Sequence, residues 1–307
     1  MQSSGDQPVC LFAAYDPQGR IHPHVAFYLD ALRRAGFRVV VGHAGPLERD
    51  APAVARLLAA GLTFVERPNT GLDFGTWRHL IGEGHVGAAS HILLANDSVY
   101  GPLSDLTPIV RRMTGSGLDV WGMVESLERG RHLQSWFVHF TASMFWHPVV
   151  QRVFDQPFDD MTKREIVVRG ELALGAALED TCPRWGAVWQ AADRRYLARL
   201  LPFNPMLLNW EEAVRRGGVP FIKVQLLREN PFALPWVRRW PDVVRRFPDF
   251  PLDVIQVHLD AIARPAGRER DPAVHSIRRL VLFWLLSRDR YATRDSVPAL
   301  MRLLLDR

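Results

Sequence analysis

The chain has 307 residues, of which 48% are hydrophobic and 23% charged, a balance that fits a folded domain and excludes a disordered or collagen-like chain. Its formal charge of +5 comes almost wholly from arginine, with lysine only at Lys163 and Lys223. No basic run resembles a nucleic-acid arm, and two cysteines, Cys10 and Cys182, make neither a disulfide framework nor a zinc site. The most apolar late stretch, residues 280–286, is far short of the roughly 20 residues that span a bilayer. The polar N-terminus lacks the basic-then-apolar pattern of a signal segment, so the expectation is a cytoplasmic protein.

Residues 9–14 form a predicted strand followed by a polar loop. Residues 24–35 follow as a helix with Val25, Leu29 and Leu32 on one face and Gly36 as its stop. Strands at 37–41 and 62–65 flank a helix at 52–60, and a helix at 74–81 precedes a short apolar strand at 92–95. A helix at 103–113 and a strand at 118–123 continue the alternation. This pattern predicts an α/β fold: a Rossmann-like, mostly parallel sheet with helices on both faces.

Residues 135–146, rich in aromatic and β-branched side chains, predict an antiparallel strand at the sheet edge. Residues 154–209 read as helical and loop-rich, and beyond residue 231 two amphipathic helices are expected at 273–287 and 297–305. The expected division is a main domain over residues 1–232 and a helical C-terminal appendage over 233–307. The arginines of the appendage suit either a solvated helix face or an anionic membrane surface.

The chain carries no P-loop, GxGxxG, HExxH or GxSxG motif. Its polar loops fall instead after successive strands, where an open α/β sheet binds ligands. Asp16 follows the first strand. Arg67, Asn69, Gly71 and Asp73 follow the third and lead into a helix whose N-terminus favours an anion, although Asp73 could equally be a plain cap. Asn96-Asp97-Ser98 ends the 92–95 strand, and its single carboxylate could hold a hard cation or cap a turn. Glu125, His132, Gln134, Glu171 and Lys223 complete the candidates. Trp77 and Trp136 are expected in the core rather than as sugar platforms.

Four motifs then occur in order: Asn69-x-Gly71-x-Asp73-Phe74-Gly75-x-Trp77, Asn96-Asp97-Ser98-x-Tyr100-Gly101-Pro102, His132-x-Gln134-Ser135, and Pro220-Phe221-Ile222-Lys223-x5-Glu229-Asn230-Pro231. Together they resemble the rhamnan synthesis F protein family from about Val9 to Phe232. The resemblance implies a nucleotide-sugar-binding fold of glycosyltransferase type A and transfer of a sugar, rhamnose or a related deoxysugar, from a nucleoside-diphosphate donor. The acceptor would be a growing cell-surface polysaccharide or lipid-linked glycan, the reaction inverting, and the setting the inner-membrane surface beside other assembly transferases.

On this reading Asp16, Arg67, Asn69, Gly71, Asp73, Asn96, Ser98, Gln134 and Lys223 bind the donor, and Asp97 holds Mg²⁺ or Mn²⁺. Glu171 is the first candidate for the base and Glu125 the second, with His132 orienting the substrate. Such folds usually carry Asp-x-Asp where this chain has Asn96-Asp97-Ser98, so metal-free binding stays open. Two other classes stay open as well: a non-catalytic scaffold subunit that binds nucleotide sugar or glycan, and a sugar-phosphate transferase.

Overall fold

The computed structural model describes residues 7–190 and 203–262. The two amphipathic helices expected at 273–287 and 297–305 lie outside the described residues.

An eight-stranded sheet forms the centre. Four strands, β1 (Val9–Tyr15), β2 (Arg38–Ala44), β3 (Thr63–Arg67) and β4 (His91–Asn96), run parallel in the order β3-β2-β1-β4. They follow the expected alternation with α1 (Pro23–Arg34), α2 (Pro52–Ala59) and α3 (Leu72–Gly82). β1 and β4 are buried on both faces, as parallel strands covered by helices must be, and they read as nearly continuous apolar runs. The sheet is therefore Rossmann-like and mostly parallel, as the alternation predicts.

The helix expected at 103–113 starts later, as α4 (Thr107–Thr114), because Asp105 accepts both the backbone N–H and the hydroxyl of Thr107 at 3.0 and 2.9 Å. The sheet then continues through β6 (Val120–Ser126), β7 (His132–Leu133), β8 (Phe137–Thr141) and β9 (Trp185–Trp189), with a two-residue strand β5 (Val99–Tyr100) standing apart from it.

The strand expected at 135–146 is antiparallel but not at the edge. β8 lies between β4 and β6, and Phe137, Val138, His139 and Phe140 are all buried. An edge strand keeps one polar, exposed row, and this run has none. Its second half turns into a short helix, α5 (Ala142–Phe145). β9, which pairs with β6 in parallel, falls within the segment expected to be helical and loop-rich.

Two apolar cores sandwich the sheet. Phe12, Tyr28 and Trp136 belong to one, and Trp77, Phe140 and Phe154 to the other. Trp77 and Trp136 are both buried, as expected of core residues. The Trp77 indole donates to the carbonyls of Leu11 and Ala95 at 3.1 and 3.3 Å, tying α3 to β1 and β4 together. A third core joins Tyr100 and Leu103 to Trp210, Trp236 and Ile255, so residues up to 262 pack on the segment that follows β4. Among the described residues, no helix is long and apolar enough to cross a membrane.

Candidate active site

The carboxyl ends of β1 and β4 are adjacent, with Ala13 paired to Asn96. Asp97 is stitched across this junction: its backbone N–H donates to the Ala13 carbonyl at 3.2 Å, and its Oδ2 accepts the Tyr15 backbone N–H at 2.8 Å. Asn96 beside it is buried and bridges two neighbours. Its Nδ2 donates to Asp73 Oδ2 at 2.6 Å, while its Oδ1 accepts the backbone N–H and hydroxyl of Ser98 at 3.0 and 2.6 Å.

Asp73 sits in the first turn of α3. It is not the cap of that helix, because Gly71 occupies the cap position in a left-handed conformation, φ 67°. A Cβ on Gly71 would lie 2.8 Å from the Cα of Gly75, so glycine is required there twice over. Burial pushes the Asp97 carboxyl up to about 7 and Asp73 up to about 6, against the Tyr15 and Asn96 hydrogen bonds respectively. Asp73 raises Asp97 further by like-charge repulsion, as does Asp16. This is an anionic cleft that favours binding of a cation or proton.

A second group faces it. A π-helical turn, Val167–Leu172, carries Glu171. Turns of this kind recur at functional sites because they present one residue out of helical register. The backbone N–H and hydroxyl of Ser135 both donate to Glu171 Oε2, at 2.8 and 2.6 Å, and His132 Nε2 lies 3.4 Å from Oε1. His132 Nδ1 lies 2.9 Å from the Gly130 carbonyl, so both ring nitrogens face acceptors and the imidazolium form is favoured. Burial opposes ionisation of Glu171, but His132, Lys223 and Ser135 outweigh it and hold the carboxyl at about 2. Burial likewise opposes the charge on His132, and Glu171 overrides it and raises the imidazole above its ordinary value.

Lys223 enters from far along the chain. It belongs to β10 (Ile222–Lys223), which pairs antiparallel with β5, Lys223 opposite Val99. The next residue, Val224, donates its backbone N–H to the Ser98 carbonyl at 2.9 Å. The amine is thereby fixed beside the Asn96-Asp97-Ser98 turn, within electrostatic reach of Glu171, Glu128 and Asp73. Burial pulls it below the ordinary lysine range, and the carboxylates partly restore it.

The other sequence candidates lie in separate networks. Asp16 is buried in its own loop, accepting from the Gln18 and Arg20 backbones at 2.9 and 3.1 Å and facing His22 at 2.9 Å. Burial opposes its charge, but His22 and Arg20 keep it at about 2. Arg67 is buried and braced by Thr70, Thr76 and Asp159. Asn69 is exposed. Gln134 is buried and uses both ends of its amide, donating to Asn204 at 2.8 Å and accepting from Trp136 at 2.9 Å. Glu125 is buried and ion-paired with Arg131, whose guanidinium also lies 4.0 Å from the centre of the Trp185 ring.

Sequence reasoning missed Tyr15, Lys163 and Glu128 as members of the cleft, and the part Ser135 plays there. Only Lys163 carries a local signal: it opens the helix α7 (Lys163–Ile166) behind a Thr162–Glu165 capping box.

Among the described residues, no group of three or more histidine, cysteine or acidic side chains is placed to hold a metal ion. Asp97 and Asp73 nonetheless supply hard carboxylate oxygens to one cleft, a donor set that fits Mg²⁺ or Mn²⁺ when the ligand itself completes the shell.

Comparison with solved structures finds the glycosyltransferase GlyE of Streptococcus pneumoniae TIGR4, 9% identical over 86% of this chain and 66% of that one, with a TM-score of 0.42. It also finds the mannosyltransferase PcManGT of Pyrobaculum calidifontis, in complex with GDP-Man and Mn²⁺, 14% identical over 98% of this chain and 88% of that one, with a TM-score of 0.34. No curated protein matches the chain. The model of the family described as Rhamnan synthesis protein F matches residues 51–294, a span that contains all four motifs and that begins later and ends later than the stretch from Val9 to Phe232. The chain belongs to the rhamnan synthesis protein F family.

Proposed function

We propose that the protein is a glycosyltransferase that moves a sugar from a nucleoside-diphosphate donor to a growing cell-surface polysaccharide or lipid-linked glycan. The observation that carries the reading is the juxtaposition of the Asp73–Asn96–Asp97 carboxylate cleft with Lys223, held against it by the β5–β10 pair. A sugar diphosphate needs both signs of charge: cations for the leaving diphosphate and anions for the sugar ring as it turns oxocarbenium-like.

In the reaction the acceptor hydroxyl attacks the anomeric carbon, the bond from that carbon to the diphosphate oxygen breaks, and the hydroxyl proton passes to a base. Lys223 neutralises charge that develops on the departing diphosphate. Asp97 and Asp73 would hold the divalent cation, which when bound supplies further neutralisation of the same oxygens. Glu171, kept ionised by His132 and Ser135, stabilises the positive ring and takes the proton. A weak base suffices there, because the hydroxyl becomes strongly acidic once its new bond to carbon has formed. Asp16 shapes the loop that faces the nucleoside.

The family description makes rhamnose the proposed sugar. The proposed setting is the cytoplasmic face of the inner membrane, with the transferase domain over residues 1–232 and the appendage over 233–307 meeting partner transferases there.

Calorimetric titration with dTDP-rhamnose and with GDP- and UDP-sugars, each with Mn²⁺ and with EDTA, tests the reading. Wild type should bind one diphosphate-sugar and Asp97→Ala should not. Loss with EDTA assigns Asp97 to the metal. Absence of binding to every donor in both conditions defeats the donor site and leaves a scaffold role.

A further inference from the structure

A groove of about 640 Å³ opens on the other side of α3 from Asp73, between that helix, α6 (Pro148–Phe154) and the turn Phe158–Asp160. At 100° per residue, Arg78, His79 and Gly82 stand well round the helix from Asp73, and Gly82 lies about 13 Å further along it. The groove is therefore separate from the donor cleft while sharing its supporting helix.

Most of its exposed wall is apolar, and the charged side chains around it are close to balanced. Arg67 and Arg78 face Glu83, Asp155 and Asp159, and both arginines pair with Asp159, at 2.8 and 3.4 Å. Such a surface does not select a polyanion, so a diphosphate is a poor occupant. Arg67 is buried and occupied by Thr70, Thr76 and Asp159, but the exposed guanidinium of Arg78 and the carboxylates and imidazole around it can pair with neighbouring hydroxyls on a ring. Ile81 and Phe154 add an apolar strip to the lining. Alternating polar edges and an apolar strip suit the equally two-sided surface of a neutral saccharide.

We propose that this groove grips a neutral stretch of the polysaccharide acceptor, at a second point away from the centre of transfer. The inference rests on the transferase reading for its ligand class. A second hold would keep the growing chain bound between additions, because linking two weak contacts raises the effective concentration of the end to be extended.

Gly82 supplies the test. It lines the groove, is exposed at the end of α3, and a Cβ there meets nothing within 4 Å. Gly82→Met should fill the groove without a clash, and replacing a helical glycine should leave the melting temperature unchanged or raised. Arg78→Ala combined with Asp155→Ala removes the polar edges instead.

With short rhamno-oligosaccharides as the calorimetric probe, wild type should bind and both variants should bind about tenfold more weakly or worse. Nucleotide-sugar binding should be unaffected by either. Absence of oligosaccharide binding to wild type, or wild-type binding by both variants, overturns the proposal. If no donor binds but the oligosaccharides bind and are lost on filling the groove, the groove stands and the transferase reading falls.

Discussion

Ser135 donates both its backbone N–H and its hydroxyl to one oxygen of Glu171, from 36 positions away in the chain. With His132 at the other oxygen, a carboxylate and an imidazole each hold the other's charge. The consequence for stability has a definite sign. Glu171 has a depressed folded value, so its contribution is present above the ordinary glutamate value of 4.5 and lost as pH falls towards 2. His132 has a raised value, so its contribution is complete below 6.5 and lost as pH rises through the folded value. The window for the pair lies between 4.5 and 6.5. His132→Gln should therefore cost most stability near pH 6 and progressively less towards about pH 9, as denaturant unfolding at each pH will show. A penalty that grows with pH would contradict the charged pair.

Asn96→Asp exchanges a donor for a carboxylate 2.6 Å from Asp73. The new acid is buried beside a like charge, so its folded value rises above its unfolded one and the variant loses stability as pH climbs above about 4. Expected destabilisation at neutral pH is about 2–4 kcal/mol, partly recovered in mild acid, measured by urea unfolding.

Gly75→Ala should destabilise the chain by about 1–3 kcal/mol, seen as a fall in melting temperature. Its Cβ would lie 2.7 Å from the Thr70 carbonyl oxygen, a backbone atom that cannot swing aside. The loop from Arg67 to Gly71 would shift with it, so the Arg67–Asp159 contact at 2.8 Å is the next to loosen.

Lys223→Met keeps the length of the side chain and removes the charge. If the amine neutralises the leaving diphosphate, kcat/KM should fall about 100-fold, with the loss mainly in kcat. Steady-state kinetics with the identified donor measures the split. A change confined to KM would assign Lys223 to ground-state binding.

The sheet was legible because each parallel strand is a short apolar run closed by a turn, and the helices between carry one apolar face. β8 was misplaced for a reason of the same kind: its antiparallel direction leaves no trace in composition, and burial on both faces shows only when its neighbours are known. β9, five residues rich in tryptophan, looks the same in a helical neighbourhood until β6 is there to pair with it.

In the site, Asp73 and Asp97 stood out because polar residues gather after strands, whereas the structure sets Glu171 on a π-helical turn and His132 and Lys223 on short strands. What could not be read was who holds whom. Gln134 and Arg67 carry polar groups as inviting as those of Lys223, but Asn204, Trp136 and Asp159 occupy them. Those partners come from distant parts of the chain, and only the folded arrangement brings them in.

The pairing of β5 with β10 sets a timetable for the ribosome. Asp73, Asn96 and Asp97 emerge early and can fold with the parallel strands, but the lysine that balances them arrives more than a hundred residues later. Until Lys223 docks against Val99, the acids of the cleft have the Tyr15 and Asn96 hydrogen bonds and the charge of Lys163 but lack the second lysine. A chain interrupted between Trp189 and Lys223 would carry every strand of the main sheet but not that charge. Synthesis of a competent protein is thus a late event, decided by two residues that close a gap spanning the middle of the sequence.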